Sequence, residues 1–299
     1  MAFQHTHADQ VPIIMTDATC DLPPDDFTRY SIGVIPQYIH VSDHMITSDA
    51  AAVLPELIEK HQAYPTISAL SITRMRSVFQ EASTDGRPIL AIVLSSKMNR
   101  TFAHAQAAAQ GLDDSVTIAI VDSKTTAGEL GLQVLTAARA AYAGRTIADI
   151  LPLLRQTYVN STLMFCQDDL EFLEHSDQMS LVSYRVAQAL GLKPIITVSK
   201  QGDSAGMYVA SNERPRSLRD ALDSFERGIA HVANPRDALR ILIAYGDPTS
   251  AALADMLNAR LLKRYESVEV ETFPASATNT ALTGPRTVSV AFARGPWPV

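Results

Sequence analysis

Hydroxyl and carboxyl side chains recur in this sequence where an apolar run stops and a helical pattern begins. Ser95 and Ser96 follow the run Ile89 to Leu94 and precede an alanine-rich helical stretch. "TDATCD", Thr16 to Asp21, follows the run Val11 to Met15, and "VDSKTT", Val121 to Thr126, follows another. A fourth cluster, "PTISALS", Pro65 to Ser71, precedes the helical pattern around Met75. Hydroxyls at positions 66, 68, 71, 95 and 96 can donate to an anion, and helix N-termini add backbone donors and a partial positive charge. Any single Ser or Thr is more simply a helix N-cap; several of them converging at one sheet edge would make an anion site. Asp17 and Asp122, at strand ends, have the chemistry of a nucleophile or metal ligand, or of a group that hydrogen-bonds a neighbouring loop. No G-x-S-x-G surrounds Ser95, and no Walker A or G-x-G-x-x-G is present, which removes the hydrolase-elbow and stronger nucleotide signals. The eight histidines are scattered. His5 and His7 flank one threonine near the N-terminus, and His40 and His44, after a strand end, read as surface residues. No metal site is expected.

The elements that must position these groups follow from periodicity. Val11 to Met15, Ile32 to Val41 (with Pro36 inside it), Ile89 to Leu94 and Val116 to Val121 read as strands. Met75 to Ala82, Thr101 to Gly111 and Leu130 to Tyr142 read as helices. Apolar strands separated by helices predict a parallel sheet covered on both faces. Thr146 and Asp149 form a capping-box pattern that opens a further helix, in which Pro152 predicts a kink. Beyond Asn160 the pattern changes. Leu163 to Cys166, Lys193 to Ser199, Gly206 to Asn212, Leu239 to Ala244, Ser267 to Thr272 and Thr287 to Ala293 read as strands, with Gly202 in a hairpin turn. Ser180 to Leu190, Ser217 to His231 and Thr249 to Arg260 read as helices. The expectation is an α/β protein of two domains. Residues 1–160 form a parallel sheet flanked by helices, and residues 161–299 an α/β domain with a mixed or antiparallel sheet.

The chain has 299 residues, 46% hydrophobic and 19% charged, enough to bury a sizeable core. Its net charge of -7 and lack of a Lys/Arg cluster argue against nucleic acid as a partner. The apolar runs are too short to span a bilayer. The N-terminal "MAFQHTHADQ" lacks an apolar secretory core, and Cys20 and Cys166 are isolated thiols. Together these predict a cytoplasmic protein.

Taken in order, the motifs resemble the DegV family, bacterial fatty-acid-binding proteins that serve as binding subunits of a fatty-acid kinase. "TDATCDL" is similar to that family's T-D-S-x-x-D-L, "PTISALS" to P-T-T-S-Q-P-S, and "SSKMNRTFAHA" to S-S-x-L-S-G-T-x-x-x-A. "VDSKTTAGELG" and "LGLKPII" fall in the family's places and order. The resemblance implies a non-enzymatic protein, without cofactor, that holds one long-chain acyl group in a tunnel between two domains. Its carboxylate would be gripped by Thr66, Ser68, Ser95 and Ser96. The competing reading, from another class, is an enzyme acting on a small phosphorylated or carboxylated metabolite with Asp17 or Asp122 as the reactive carboxylate. Departures from the family pattern bear on the kinase as partner. Asp177 and Gln178 stand where the family has glycine-arginine, and L-T-G-P-R, Leu282 to Arg286, replaces H-x-G-P-G. Asn99 and Arg100 replace S-G, and Leu70 replaces a proline. Arg100 and Arg286 are candidate auxiliary cations at the head group. The implied protein binds lipid but delivers it poorly to a kinase.

Overall fold

The computed structural model describes residues 10–176 and 190–295. Four short, nearly all-apolar strands, β1 (Ile13–Asp17), β2 (Gly33–Ile35), β6 (Ile89–Val93) and β7 (Ile118–Asp122), form a parallel sheet in the order β2-β1-β6-β7. A second sheet has six strands in the order β10-β9-β8-β13-β11-β12 and is mixed. Its members are β8 (Ser161–Gln167), β9 (Ile196–Val198), β10 (Tyr208–Ala210), β11 (Leu239–Tyr245), β12 (Val268–Pro274) and β13 (Thr287–Arg294). Only β11 and β12 run parallel within it.

Helix α5 (Ala127–Tyr142) lies between the two sheets, with fourteen of its sixteen residues buried. An amphipathic helix cannot occupy such a place, because both faces need apolar partners; "AGELGLQVLTAARAAY" meets the demand with small and aliphatic side chains all round. One continuous core runs from Ile14, Leu90 and Ile92 of the parallel sheet, through Leu130 and Val134, to Leu163, Leu242 and Ala291 of the mixed sheet. At Gly131 a Cβ would stand 2.2 Å from the carbonyl oxygen of Asp21, so the close approach of α5 to the loop after β1 requires glycine. The opposite face of the parallel sheet is covered by α3 (Ile72–Ala82) and α4 (Thr101–Ala109), with Met75, Phe79, Ala105 and Ala108 in contact with its apolar side chains. The outer face of the mixed sheet is covered by α8 (Leu218–Val232) and α9 (Pro248–Arg264) through Leu222, Phe225, Leu257 and Leu261. The layers therefore run helix, sheet, helix, sheet, helix.

The expected strand from Ile32 to Val41 is two strands. Pro36 has no N–H to give a ladder, and the chain leaves β2 there to begin β3 (Gln37–Val41) in a third sheet. That sheet, ordered β4-β3-β5, is antiparallel, with β4 (His44–Thr47) and β5 (Thr66–Ala69) beside β3. The polar cluster "PTISALS" is thus half strand. His40, expected on the surface after a strand end, lies half-buried within β3. Thr146 and Asp149 form the expected capping box of α6 (Ile147–Asn160), which continues through Pro152 to Asn160. The predicted helix Ser180 to Leu190 falls almost wholly outside the described residues.

Candidate functional site

The carboxyl ends of β1, β6 and β7 adjoin because the three strands are parallel neighbours. The sheet order reverses between β1 and β6, and ligands of open α/β sheets sit at such a switch point. The Asp17 carboxylate spans it. Its Oδ1 accepts from the Thr19 N–H at 2.9 Å, the Thr19 hydroxyl at 2.6 Å and Gln37 Nε2 at 3.0 Å, and its Oδ2 accepts from the Leu94 N–H at 2.5 Å. Burial pushes the Asp17 carboxyl up, and these donors oppose that effect. Gln37 accepts in turn from Asn99 Nδ2 at 3.2 Å. Asn99, which replaces the family serine, also accepts from the Thr101 N–H at 2.8 Å and so holds the start of α4. Asp122 is similarly engaged, accepting from the Ser96 N–H at 3.1 Å, the Ser96 hydroxyl at 2.6 Å and the Lys124 N–H at 3.0 Å. Both strand-end aspartates therefore hold loops.

The four expected head-group hydroxyls differ in what they have left to give. Ser95 is 1% exposed, and its oxygen accepts from the Lys97 N–H at 3.3 Å. Its own proton meets no acceptor among the described residues. Ser96 is exposed and spends its proton on Asp122. Thr66 and Ser68 lie on β5, opposite His40 and Tyr38 of β3. Ser68 Oγ is 2.7 Å from His40 Nε2, whereas the Thr66 hydroxyl makes no hydrogen bond among the described residues. No hydrogen bond joins the β5 pair to the β6 pair; Asp17 and Gln37 stand between them, Gln37 on the strand that pairs with β5.

Ser95 is roofed by the turn between β9 and β10, which belongs to the mixed sheet. Gly206, at φ +87, packs so closely that a Cβ there would lie 2.3 Å from the Ser95 hydroxyl oxygen. The turn is tied down by Lys200, whose Nζ is 2.8 Å from Glu129 Oε1. Lys200 also donates to the carbonyls of Tyr158 and Ser161. Glu129 on α5 is fully buried and accepts from Thr125 Oγ1 at 2.7 Å and Ser161 Oγ at 2.8 Å, which satisfies the charge from three sides. Sequence reading missed Gly206, Glu129 and Lys200. A glutamate and a glutamine inside the otherwise apolar "AGELGLQVLT" were the available sign that this helix meets buried polar partners.

Neither auxiliary arginine side chain hydrogen-bonds a group of this centre among the described residues. Arg100 is exposed at the start of α4. Arg286 Nε lies 3.1 Å from Asp168 Oδ2, and Lys193 Nζ lies 2.7 Å from the other oxygen of the same carboxylate. Leu282, where the family has histidine, is buried in α10 (Ala277–Thr283); Gln178 lies outside the described residues. A second link between the halves is Tyr64, just before β5, whose hydroxyl donates to Glu171 at 2.5 Å on α7 (Glu171–His175) and whose ring stacks on His175. That hydrogen bond pushes the Tyr64 phenol up.

A parallel sheet with a polar switch point, joined through one buried helix to a mixed sheet that roofs it, defines a two-domain α/β protein. The model of uncharacterised proteins of the DegV family matches residues 13–295, and the chain belongs to that family. A DegV domain-containing protein of Deinococcus radiodurans is 26% identical over 282 residues, 93% of this chain and 97% of that one. A Thermotoga maritima protein described as revealing fatty acid binding function superimposes with a TM-score of 0.82 at 19% identity, over 96% of this chain and 100% of that one. The fatty acid kinase B3 protein of Streptococcus pneumoniae, loaded with linoleic acid, superimposes at 0.81 and 15% identity, over 94% and 99%.

Proposed function

We propose that this protein binds one long-chain fatty acid and leaves it chemically unchanged. The domain of residues 1–160 supplies the head-group loops, and the domain of residues 161–299 closes over the acyl chain in a tunnel between them. The observation that carries this reading is Ser95, a buried hydroxyl with an undonated proton at the switch point, covered by a turn of the opposite sheet. It is supported by the fatty acids bound to proteins of the same fold. Ser95 and Thr66 are the primary donors to the carboxylate. Ser68 acts together with His40, which supplies an imidazole to a site whose family histidine is replaced by Leu282. Ser96 is a strut for Asp122. The engagement of Asp17 and Asp122 by loop donors favours binding over catalysis by either carboxylate.

Burial of the tail dominates affinity. At ~0.8 kcal/mol per CH₂, about sixteen carbons offer on the order of 12 kcal/mol before ordering costs. Each hydroxyl adds roughly 1 kcal/mol and sets the register of the chain. The test is a titration of delipidated protein with a fatty acid and the matching fatty alcohol. Ser95→Ala weakens binding of the acid by about 1–3 kcal/mol and of the alcohol much less. Equal losses for both ligands would show that Ser95 maintains the fold and does not hold the head group.

A further inference from the structure

Ser95 is confined by two elements, and both trace to one carboxylate. Its backbone N–H donates to the Thr125 carbonyl at 2.9 Å, which ties the end of β6 to the loop after β7. That loop is fixed in turn by the Thr125 hydroxyl, which donates to Glu129 Oε2 at 2.7 Å. The second element is the turn that covers the Ser95 hydroxyl. The Gly206 N–H donates to the Ser199 carbonyl at 2.8 Å, and the Ser199 N–H to the Met207 carbonyl at 2.9 Å, which closes the neck of the turn. Lys200, the next residue, links that neck to Glu129 Oε1 at 2.8 Å. One oxygen of Glu129 thus holds the loop that supports Ser95, and the other holds the turn that covers it.

The ion pair is fully engaged. An ammonium has three donors, and Glu129 Oε1 with the carbonyls of Tyr158 and Ser161 takes all three. Glu129 is buried and Lys200 half-buried, so removing either partner leaves the other charge without compensation. The turn is therefore held on Ser95 more firmly than the two backbone hydrogen bonds at its neck could hold it. A hydroxyl fixed in one orientation loses less entropy on meeting a charged acceptor than one free to turn. An uncharged alcohol head group gains less from the same donor.

We propose that Glu129 is a positioning residue of the head-group site, acting through Ser95, and that its two links set the preference for a carboxylate over an alcohol. This role rests on binding of a fatty acid at Ser95. Glu129 itself does not meet the ligand, because its oxygens are turned to Thr125, Lys200 and Ser161. With both links made, the Ser95 hydroxyl keeps one orientation and presents its proton to the carboxylate. With either link cut, the support or the cover shifts and the hydroxyl turns away.

The test titrates full-length, delipidated protein with palmitate and with hexadecanol. Thr125→Val removes the hydroxyl link, and Lys200→Met removes the ion pair. Each weakens palmitate binding by about tenfold and hexadecanol binding by less than about twofold. Thr125→Ser keeps the hydroxyl and restores palmitate affinity to within about twofold of the unsubstituted protein. In a Ser95→Ala background neither Thr125→Val nor Lys200→Met weakens palmitate binding further, because the group they position is gone. If Lys200→Met does not fold, the Thr125 variants give the same readout. Equal losses for acid and alcohol, unchanged palmitate affinity in Thr125→Val, or losses that add to that of Ser95→Ala would overturn the role of Glu129 and leave the fatty-acid reading standing. Palmitate affinity unaffected by Ser95→Ala alone would overturn the head-group assignment and this role with it.

Discussion

Asp21 and Ser95 are both buried polar residues in the loops that follow β1 and β6, and burial asks different things of them. For Ser95 it leaves a proton that meets no acceptor among the described residues. For Asp21 it opposes ionisation, and the carboxyl is pushed up to about 6, with the Ser276 N–H the strongest opposing influence. The folded state therefore holds the Asp21 proton more tightly than the unfolded chain. Below about pH 4 both states are protonated, and between about pH 4 and 6 the unfolded state ionises first. Stability accordingly declines as pH rises through that window, by up to about 3 kcal/mol from this group, and is flat above it. Asp21→Asn removes this part of the profile. Denaturant unfolding of both proteins across the window checks it; parallel profiles would contradict it. Asp21 was legible only as a member of the polar cluster "TDATCD", in which Asp17 is the strand-end carboxyl. Its partner Ser276, 255 residues away, was not, because nothing local marks which distant loop will meet it.

At the scale of elements, the parallel strands were readable because burial on both faces makes them uninterrupted apolar runs, as in Ile89 to Leu94. The strand-to-helix serines were readable for the same reason, since the run's end fixes where the sheet edge lies. The small antiparallel sheet was not. β5 carries Thr66 and Ser68 on a half-buried surface, and its composition matches a polar loop. Pro36, expected inside a single strand, marks the passage from one sheet to another. The turn between β9 and β10 was legible as a hairpin from Gly202, but its role as a roof depends on tertiary packing at Gly206. Gly206→Ala forces a Cβ against the Ser95 hydroxyl at a φ that L side chains rarely adopt. The substitution costs about 1–3 kcal/mol of stability. In a Ser95→Ala background the cost is smaller, because the nearest colliding atom is gone. Denaturation of the two single variants and the double variant measures this coupling, and strict additivity would contradict direct packing of the turn on Ser95.

For the whole molecule, two sheets share one core through α5, and Glu129, Lys200 and Tyr64 join the halves around the switch point. The order of the DegV motifs made this architecture legible over most of the chain. The departures from those motifs bear on delivery to a partner. Phosphoryl transfer to a bound carboxylate needs cations aimed at the developing charge. Leu282 is buried and cannot supply one, and Arg286 is occupied by Asp168. We therefore expect lipid-loaded protein, incubated with a fatty-acid kinase subunit and ATP, to yield acyl-phosphate far more slowly than a family member with intact H-x-G-P-G. Comparable turnover would contradict this and would point to Arg100 or His40 as a replacement. The central claim, binding of a long-chain fatty acid, is tested most directly by extracting protein purified from a bacterial host, with no lipid added, into organic solvent for mass spectrometry. The account predicts a long-chain acyl carboxylate in near-stoichiometric amount; an extract free of fatty acid from protein never delipidated would contradict it.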